Sequence, residues 1–370
     1  MPIARQVEPI KIGVLNDMVL PDDLPLDVRS DMVKPLELVF ADGLAAGTLD
    51  RPVELVYREI DGLPRGTVKA VIDTYGELVD EGCLAVVGPN ISENTIALRE
   101  EIERRFRVPS ISLCGSDEWF GEWTFGLPNG SMTDEPILIA HLLRKAGHES
   151  AGVLVERSFI GQEYLKGFRR AARDEGIKIV AEEAIPQTGQ EIGAAVKALH
   201  HAKPDAMVHL GFGLGVVEIN RALADVEWDP PRYMGTAFED AYVSSEIWQP
   251  FVGWIGLEQY DEGNQVGQRF LDRFEEAYGR RPGYFAPVVF RDVAVALLHA
   301  LADAEPLSPR GVLEGLERVK LVPAASGSHG TRISFGKWCR MGWMGAGYLT
   351  ARTLDPDGRT HRLAGRYGVD

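Results

Sequence analysis

Two serines stand where small-ligand chemistry is possible. Ser92 follows the apolar run Leu84-Ala85-Val86-Val87 through Gly88-Pro89-Asn90-Ile91, and Ser116 follows Val108-Pro109-Ser110-Ile111-Ser112-Leu113 through Cys114-Gly115. Short apolar runs bounded by turn residues read as buried strands of a parallel sheet. Loops leaving the carboxyl ends of such strands are where open α/β sheets take ligands. Ser92 also precedes the helically spaced Ile96, Leu98 and Ile102, so it is expected to cap a helix whose N-terminus favours an anion. Taken singly, Ser92 reads as a cap and Ser116 as a turn residue. After neighbouring parallel strands, the pair is expected to face one cleft and hold a carboxylate or carbonyl. Trp119, Phe120 and Trp123 follow Ser116 in a polar, Gly-broken stretch. They either wall an apolar pocket or seal the lobe surface.

Other chemistry lacks a signature. The chain has no G-x-S-x-G elbow, no H-E-x-x-H and no G-x-x-x-x-G-K-[ST] loop. Its eight histidines are scattered, and Cys83, Cys114 and Cys339 form neither a CxxC pair nor a disulfide framework. Gly211-Phe212-Gly213-Leu214-Gly215-Val216 lies between a strand and a helix, the setting of a dinucleotide fingerprint. Val216 stands at the sixth position, however, and Tyr233-Met234-Gly235-Thr236 lacks a ribose-binding acid. A tight turn bordering a cleft is the simpler reading, and neither a cofactor, a metal nor catalysis is expected.

The elements that must position these loops alternate strictly. Ile10–Leu15 and Val53–Tyr57 read as strands, while 35–46 reads as a helix and Thr67 caps another bearing Val68, Val71, Ile72, Tyr75 and Leu78. The rhythm resets near Phe125 to Pro128. A second series follows, with strands at 151–155, 177–181 and 206–210 and helices at 164–175, 191–201 and 216–226. Two long helices beyond Tyr260 and a shorter one from Pro309 precede a strand-like end. Strand–helix alternation with buried strands means parallel sheets covered on both faces. Two such units without a flexible linker predict a hinged cleft.

Composition sets the outer limits. At 370 residues the chain holds about two domains, and 45% hydrophobic with 25% charged residues is ordinary for a globular protein. Thirty-nine basic against 55 acidic residues give a net charge of -16, which argues against nucleic acid or an anionic membrane as main partner. No run approaches the roughly 18 apolar residues of a membrane span. The first residues carry no apolar leader, so the chain as given is expected to be cytoplasmic, or extracytoplasmic if a leader has been removed.

The order of these elements resembles the type I periplasmic binding proteins, in particular the leucine/isoleucine/valine-binding branch that serves ABC importers. The resemblance rests on Ile10-Lys11-Ile12-Gly13-Val14-Leu15, the Val87-Gly88-Pro89 to Ser92 to Thr95 loop and Val108-Pro109-Ser110-Ile111-Ser112. Phe274 to Tyr278 with Gly279 and Pro282, before the 285–304 helix, adds to it. It implies two Rossmann-like lobes joined by three hinge crossovers. We divide them as 1–126 plus 259–331 and 127–258 plus 332–370. By position, the resemblance assigns the ligand's carboxylate to Ser92, Cys114 (through its backbone) and Ser116.

The second-lobe positions depart from that pattern. Ile160, with Phe159 beside it, stands where an aromatic is expected, and Phe212 or Gly213 where a tyrosine is expected. The acid that pairs with the ligand's ammonium falls on Ala237, with Glu239 or Asp240 as substitutes if the loop is shifted. A buried ammonium without a countercharge costs several kcal/mol. An aromatic or aliphatic carboxylate, or an amide, is therefore the expected ligand. The resemblance implies an importer permease as partner; a cytosolic sensor acting on a regulatory protein, similar in logic to the amidase-operon regulators, is the alternative.

Overall fold

The computed structural model describes residues 8–17, 30–63, 65–187, 191–236, 249–282, 286–356 and 361–366. Its first sheet contains β1 (Ile10–Asn16), β2 (Val53–Glu59), β3 (Ala85–Val87), β4 (Ser110–Ser112) and β5 (Thr124–Gly126). All neighbours run parallel in the order β2-β1-β3-β4-β5. Val87 pairs with Ile111, so the loops leaving β3 and β4 begin side by side. The order of strands reverses at β1 and β3, which opens a crevice at their carboxyl ends.

Helices α1 (Lys34–Ala45), α2 (Val68–Asp80) and α3 (Ser92–Glu101) connect these strands. In α2 the spacing of Val71, Tyr75 and Leu78 buries one face completely, each side chain contributing about 1.5–3 kcal/mol. Thr67 caps it as expected, its Oγ1 accepting from Ala70 N at 3.2 Å. Gly82 ends it with a φ of 85°, a conformation a side chain would strain. Sequence reading missed β5, whose three residues follow a tryptophan-rich loop and show no alternation of their own.

The second sheet repeats the pattern. It holds β6 (Ser150–Glu156), β7 (Lys178–Ile185), β8 (Ala206–Leu210), β9 (Arg232–Met234) and β10 (Trp254–Glu258), in the order β7-β6-β8-β9-β10 and all parallel. Helices α4 (Asp134–Lys145), α5 (Phe159–Asp174), α6 (Ile192–Ala202) and α7 (Val216–Asp225) cover it. The chain then returns to the first lobe through α8 (Gln265–Tyr278), α9 (Ala286–Ala302) and α10 (Pro309–Arg318), with α9 packed on α1 and α10. A ribbon of β11 (Val322–Pro323) and β12 (Arg332–Ile333) follows. Finally β13 (Thr350–Leu354) and β14 (His361–Arg366) extend the second sheet beside β10, antiparallel.

These two α/β lobes are the expected fold. Residues 332–343, expected with the second lobe, instead run along the first sheet. Met341 bridges to Gly126, Phe335 meets Phe125 edge-on at 5.4 Å, and Arg340 Nη2 donates to Glu317 Oε1 at 2.8 Å. We therefore place the third crossing after Trp343. One buried cluster runs through both lobes, and a second lies between the outer face of the second sheet and helices α6 and α7. Among the described residues no helix is long and apolar enough to cross a membrane.

Candidate functional site

The strand ends of the first lobe converge on a buried polar cluster. Ser92, Thr95, Cys114 and Ser116 are all buried at the meeting of β3, β4 and α3. The Cys114 thiol lies 3.4 Å from Ser92 Oγ, to which it donates, and it accepts from Thr95 Oγ1 at 3.0 Å. The same sulfur is 3.9 Å from the Ser116 carbonyl oxygen. Burial pushes this thiol's pKa up, so it stays protonated and able to donate. The structure thus brings together the three first-lobe residues expected to share a ligand.

Their local roles differ from expectation. Ser92 is the first residue of α3, and Ile91 takes the capping position without a side-chain bond. The N–H groups of Ser92 and Glu93 are therefore among those that a helix leaves without intrahelical partners. Ser116 does cap: its Oγ accepts from Glu118 N at 3.2 Å and starts a single turn at Asp117–Trp119. Trp119 is sealed inside the first lobe, fully buried, with its Nε1–H donated to Phe125 O at 2.7 Å. It belongs to the core rather than to a cleft wall.

Sequence reasoning passed over Asp17. Standing just past the end of β1, it accepts from Asn90 N at 2.7 Å, Ile91 N at 3.1 Å and Asn94 Nδ2 at 2.8 Å. The β3–α3 loop is thus held by a carboxylate from the neighbouring strand. Burial raises its pKa even though these hydrogen bonds oppose the shift. Its position at the strand-order reversal was the signal that could have found it.

Opposite this cluster, α5 packs against α3, so the second lobe faces the first at its own strand ends. Ser158 caps α5 by accepting from Gly161 N at 3.0 Å. Ile160 is buried, while Phe159 and Phe212 are half-buried at the ends of β6 and β8. Ala237, Glu239 and Asp240 lie outside the described residues. The turn after β8 is held by Glu156 at the end of β6, which is fully buried and accepts from Gly213 N at 3.0 Å with Oε1. A Cβ on Gly211 would overlap the Glu156 carboxyl carbon, so that glycine makes room for an acid. A dinucleotide's phosphate would meet that carboxylate at the turn N–H groups, which argues against the fingerprint on electrostatic grounds.

A third buried acid, Glu135, ties the second lobe together near the first crossing. Its Oε2 accepts from Tyr164 Oη at 2.7 Å and from Thr236 N at 3.0 Å, and its Oε1 meets the Thr236 hydroxyl. Burial raises its pKa to about 7, with the hydrogen bonds opposing the shift. The described residues contain no group of three or more His, Cys, Asp or Glu suited to a metal ion.

A sequence-family model described as periplasmic binding protein matches residues 9–338. The sequence matches no curated protein. Among solved structures, the chain is similar to an ABC transporter substrate-binding protein from Desulfitobacterium hafniense in complex with Leu. Identity is 18% and the TM-score 0.79, over 96% of this chain and 100% of that one. It is similar also to the branched-chain amino acid transporter substrate binding protein LivJ from Streptococcus pneumoniae, solved with isoleucine, at 18% identity and a TM-score of 0.76 over 97% and 100%. An R. palustris ABC transporter solute binding protein in complex with benzoate aligns at 16% identity and a TM-score of 0.72, over 97% and 96%. At these identities the structural likeness concerns the fold.

Proposed function

The chain belongs to the periplasmic binding protein family, and from that premise we propose that it is a non-catalytic receptor whose two lobes close on a small, partly apolar solute for an ABC importer outside the cytoplasm. The observation that carries this reading is the meeting of Ser92, Cys114 and Ser116 at the α3 N-terminus, opposite the start of α5. Hydroxyls, a thiol and unpaired helix N–H groups recognise a carboxylate or carbonyl without transferring a bond. Phe159 and Phe212 supply apolar surface on the other lobe. Structural relatives are described with leucine, isoleucine and benzoate, all pairing a carboxylate with an apolar body.

A melting screen of branched-chain amino acids, aromatic acids and their amides tests the reading. A site ligand at about 100 times its Kd adds roughly 2.7 kcal/mol to stability. At least one member should raise the melt of the wild-type protein, and Ser92→Ala should abolish that rise. An equal rise in both proteins would remove the carboxylate from this loop.

A further inference from the structure

The flank of the first lobe holds two contiguous surface cavities, away from the strand-end cleft. The larger, about 530 Å³, lies between α1, α8 and α9, and the smaller, about 230 Å³, lies between the start of α8 and the β11–β12 ribbon. Val266, Arg269 and Pro323 line both, so the two form one groove. Its floor is apolar: Phe270 is buried, and Val266, Val295 and Leu298 are half-buried. Its charge runs against that of the chain. Among the described residues the walls carry four arginines and two histidines against one carboxylate, Asp42, whereas the whole chain has 39 basic and 55 acidic residues. Asp42 is already taken by Arg273, whose Nη2 and Nε donate to it at 2.8 and 3.2 Å. Arg291 is held by Asp292 Oδ1 at 2.8 Å and by Pro323 O at 3.1 Å. Arg269 and Arg332 are exposed, pair with no carboxylate among the described residues, and both line the smaller cavity.

An apolar trough that ends in unneutralised arginines matches a ligand with an apolar body and an anionic head. Arginine holds a carboxylate through parallel N–H donors, and a local positive field gathers anions there despite the chain's net charge of -16. A second copy of the chain fits less well, since a two-fold pair would set cations against cations. We propose that this groove is a second binding site, separate from the cleft, for an acyl carboxylate. Arg269 and Arg332 hold its head in the smaller cavity, and its chain lies over Phe270, Val295 and Leu298 in the larger one. The groove shares no residue with the Ser92, Cys114 and Ser116 cluster, so this site stands or falls independently of the receptor reading above.

Calorimetry with hexanoate, octanoate and decanoate tests the site on the intact chain, with decyltrimethylammonium as the oppositely charged probe. Affinity should rise about fourfold for each methylene that enters the groove. The cation should bind roughly tenfold more weakly than decanoate, and Arg269→Gln and Arg332→Gln should each weaken decanoate by about the same factor. Both substitutions fall on exposed side chains, so the unliganded melt should not move. Ser92→Ala should leave decanoate binding unchanged. Binding that is lost in Ser92→Ala but intact in both arginine variants would put the acid in the cleft and overturn the proposal. Equal binding of the cation, affinity that ignores chain length, or no binding of any of the acids would overturn it as well. Sedimentation of the unliganded chain should show no association through this face; a dimer that Arg269→Gln dissociates would make a second copy the occupant and overturn the acyl site.

Discussion

Glu135 shows how one buried residue makes the fold sensitive to pH. Its folded pKa of about 7 stands above the ordinary 4.5 because burial outweighs three hydrogen bonds. Between those values the folded chain holds a proton that the unfolded chain has released. The stability this contributes is complete below pH 4.5 and is lost as pH rises through 7, by about 3 kcal/mol. Glu135→Gln mimics the protonated acid: its Oε1 can accept from Tyr164 and Thr236 N, and its amide can donate to the Thr236 hydroxyl. Urea unfolding of that variant should lose most of the wild-type decline between pH 4.5 and 7, and an unchanged decline would assign it to other groups. Among the serines, Ser92→Ala should leave the unliganded melt nearly unmoved. Ser116→Ala should cost about 1 kcal/mol even without ligand, because Ser116 Oγ caps a turn. The hydroxyls were legible from the strand-end rule, whereas Glu135 and Glu156 were not. An isolated acid in sequence looks like any solvated surface charge, and only tertiary contact makes it buried.

At the level of elements, periodicity and punctuation carried most of the reading. Helix α2 was readable because its apolar spacing, its Thr67 cap and its terminal Gly82 all agree. The start of α3 was misread because the stabilising carboxylate comes from Asp17, far away in sequence, and no local pattern announces a contact between β1 and the β3–α3 loop. That contact predicts a structural cost. Asp17→Ala should destabilise the chain by about 1–2 kcal/mol, since it leaves the half-buried N–H groups of Asn90 and Ile91 without their acceptor. Denaturant titration gives the number; a loss under 0.5 kcal/mol would mean that water replaces the carboxylate. Because the loop also sets Ser92, ligand affinity should fall together with stability. β5 escaped notice for a related reason, its three residues being defined by pairing with β4 rather than by their own alternation.

In the whole molecule, the crossings between lobes are bonded to one another as well as to the lobes. Pro128 O, on the first crossing, accepts from Gln259 Nε2 at 2.7 Å and from Trp343 Nε1 at 3.0 Å, so all three strands of the hinge meet at one carbonyl. Asn264 fastens the next segment, its Nδ2 lying 3.0–3.2 Å from the carbonyl oxygens of residues 324–327. Two sheets predicted from sequence as separate units are in this way joined at the hinge and share one apolar cluster. Chains of this size with two lobes often unfold in stages. The shared cluster and the bonded hinge predict otherwise. Tryptophan fluorescence, reporting Trp119 in the first lobe and Trp254 in the second, should trace the same single urea transition as far-UV circular dichroism. Gln259→Leu removes one of the two bonds to Pro128 O and should lower that midpoint by the equivalent of about 1 kcal/mol without splitting the transition. Two resolved transitions in the wild-type protein would show that the lobes are thermodynamically separate. Coupling through the hinge would then have to come from ligand alone.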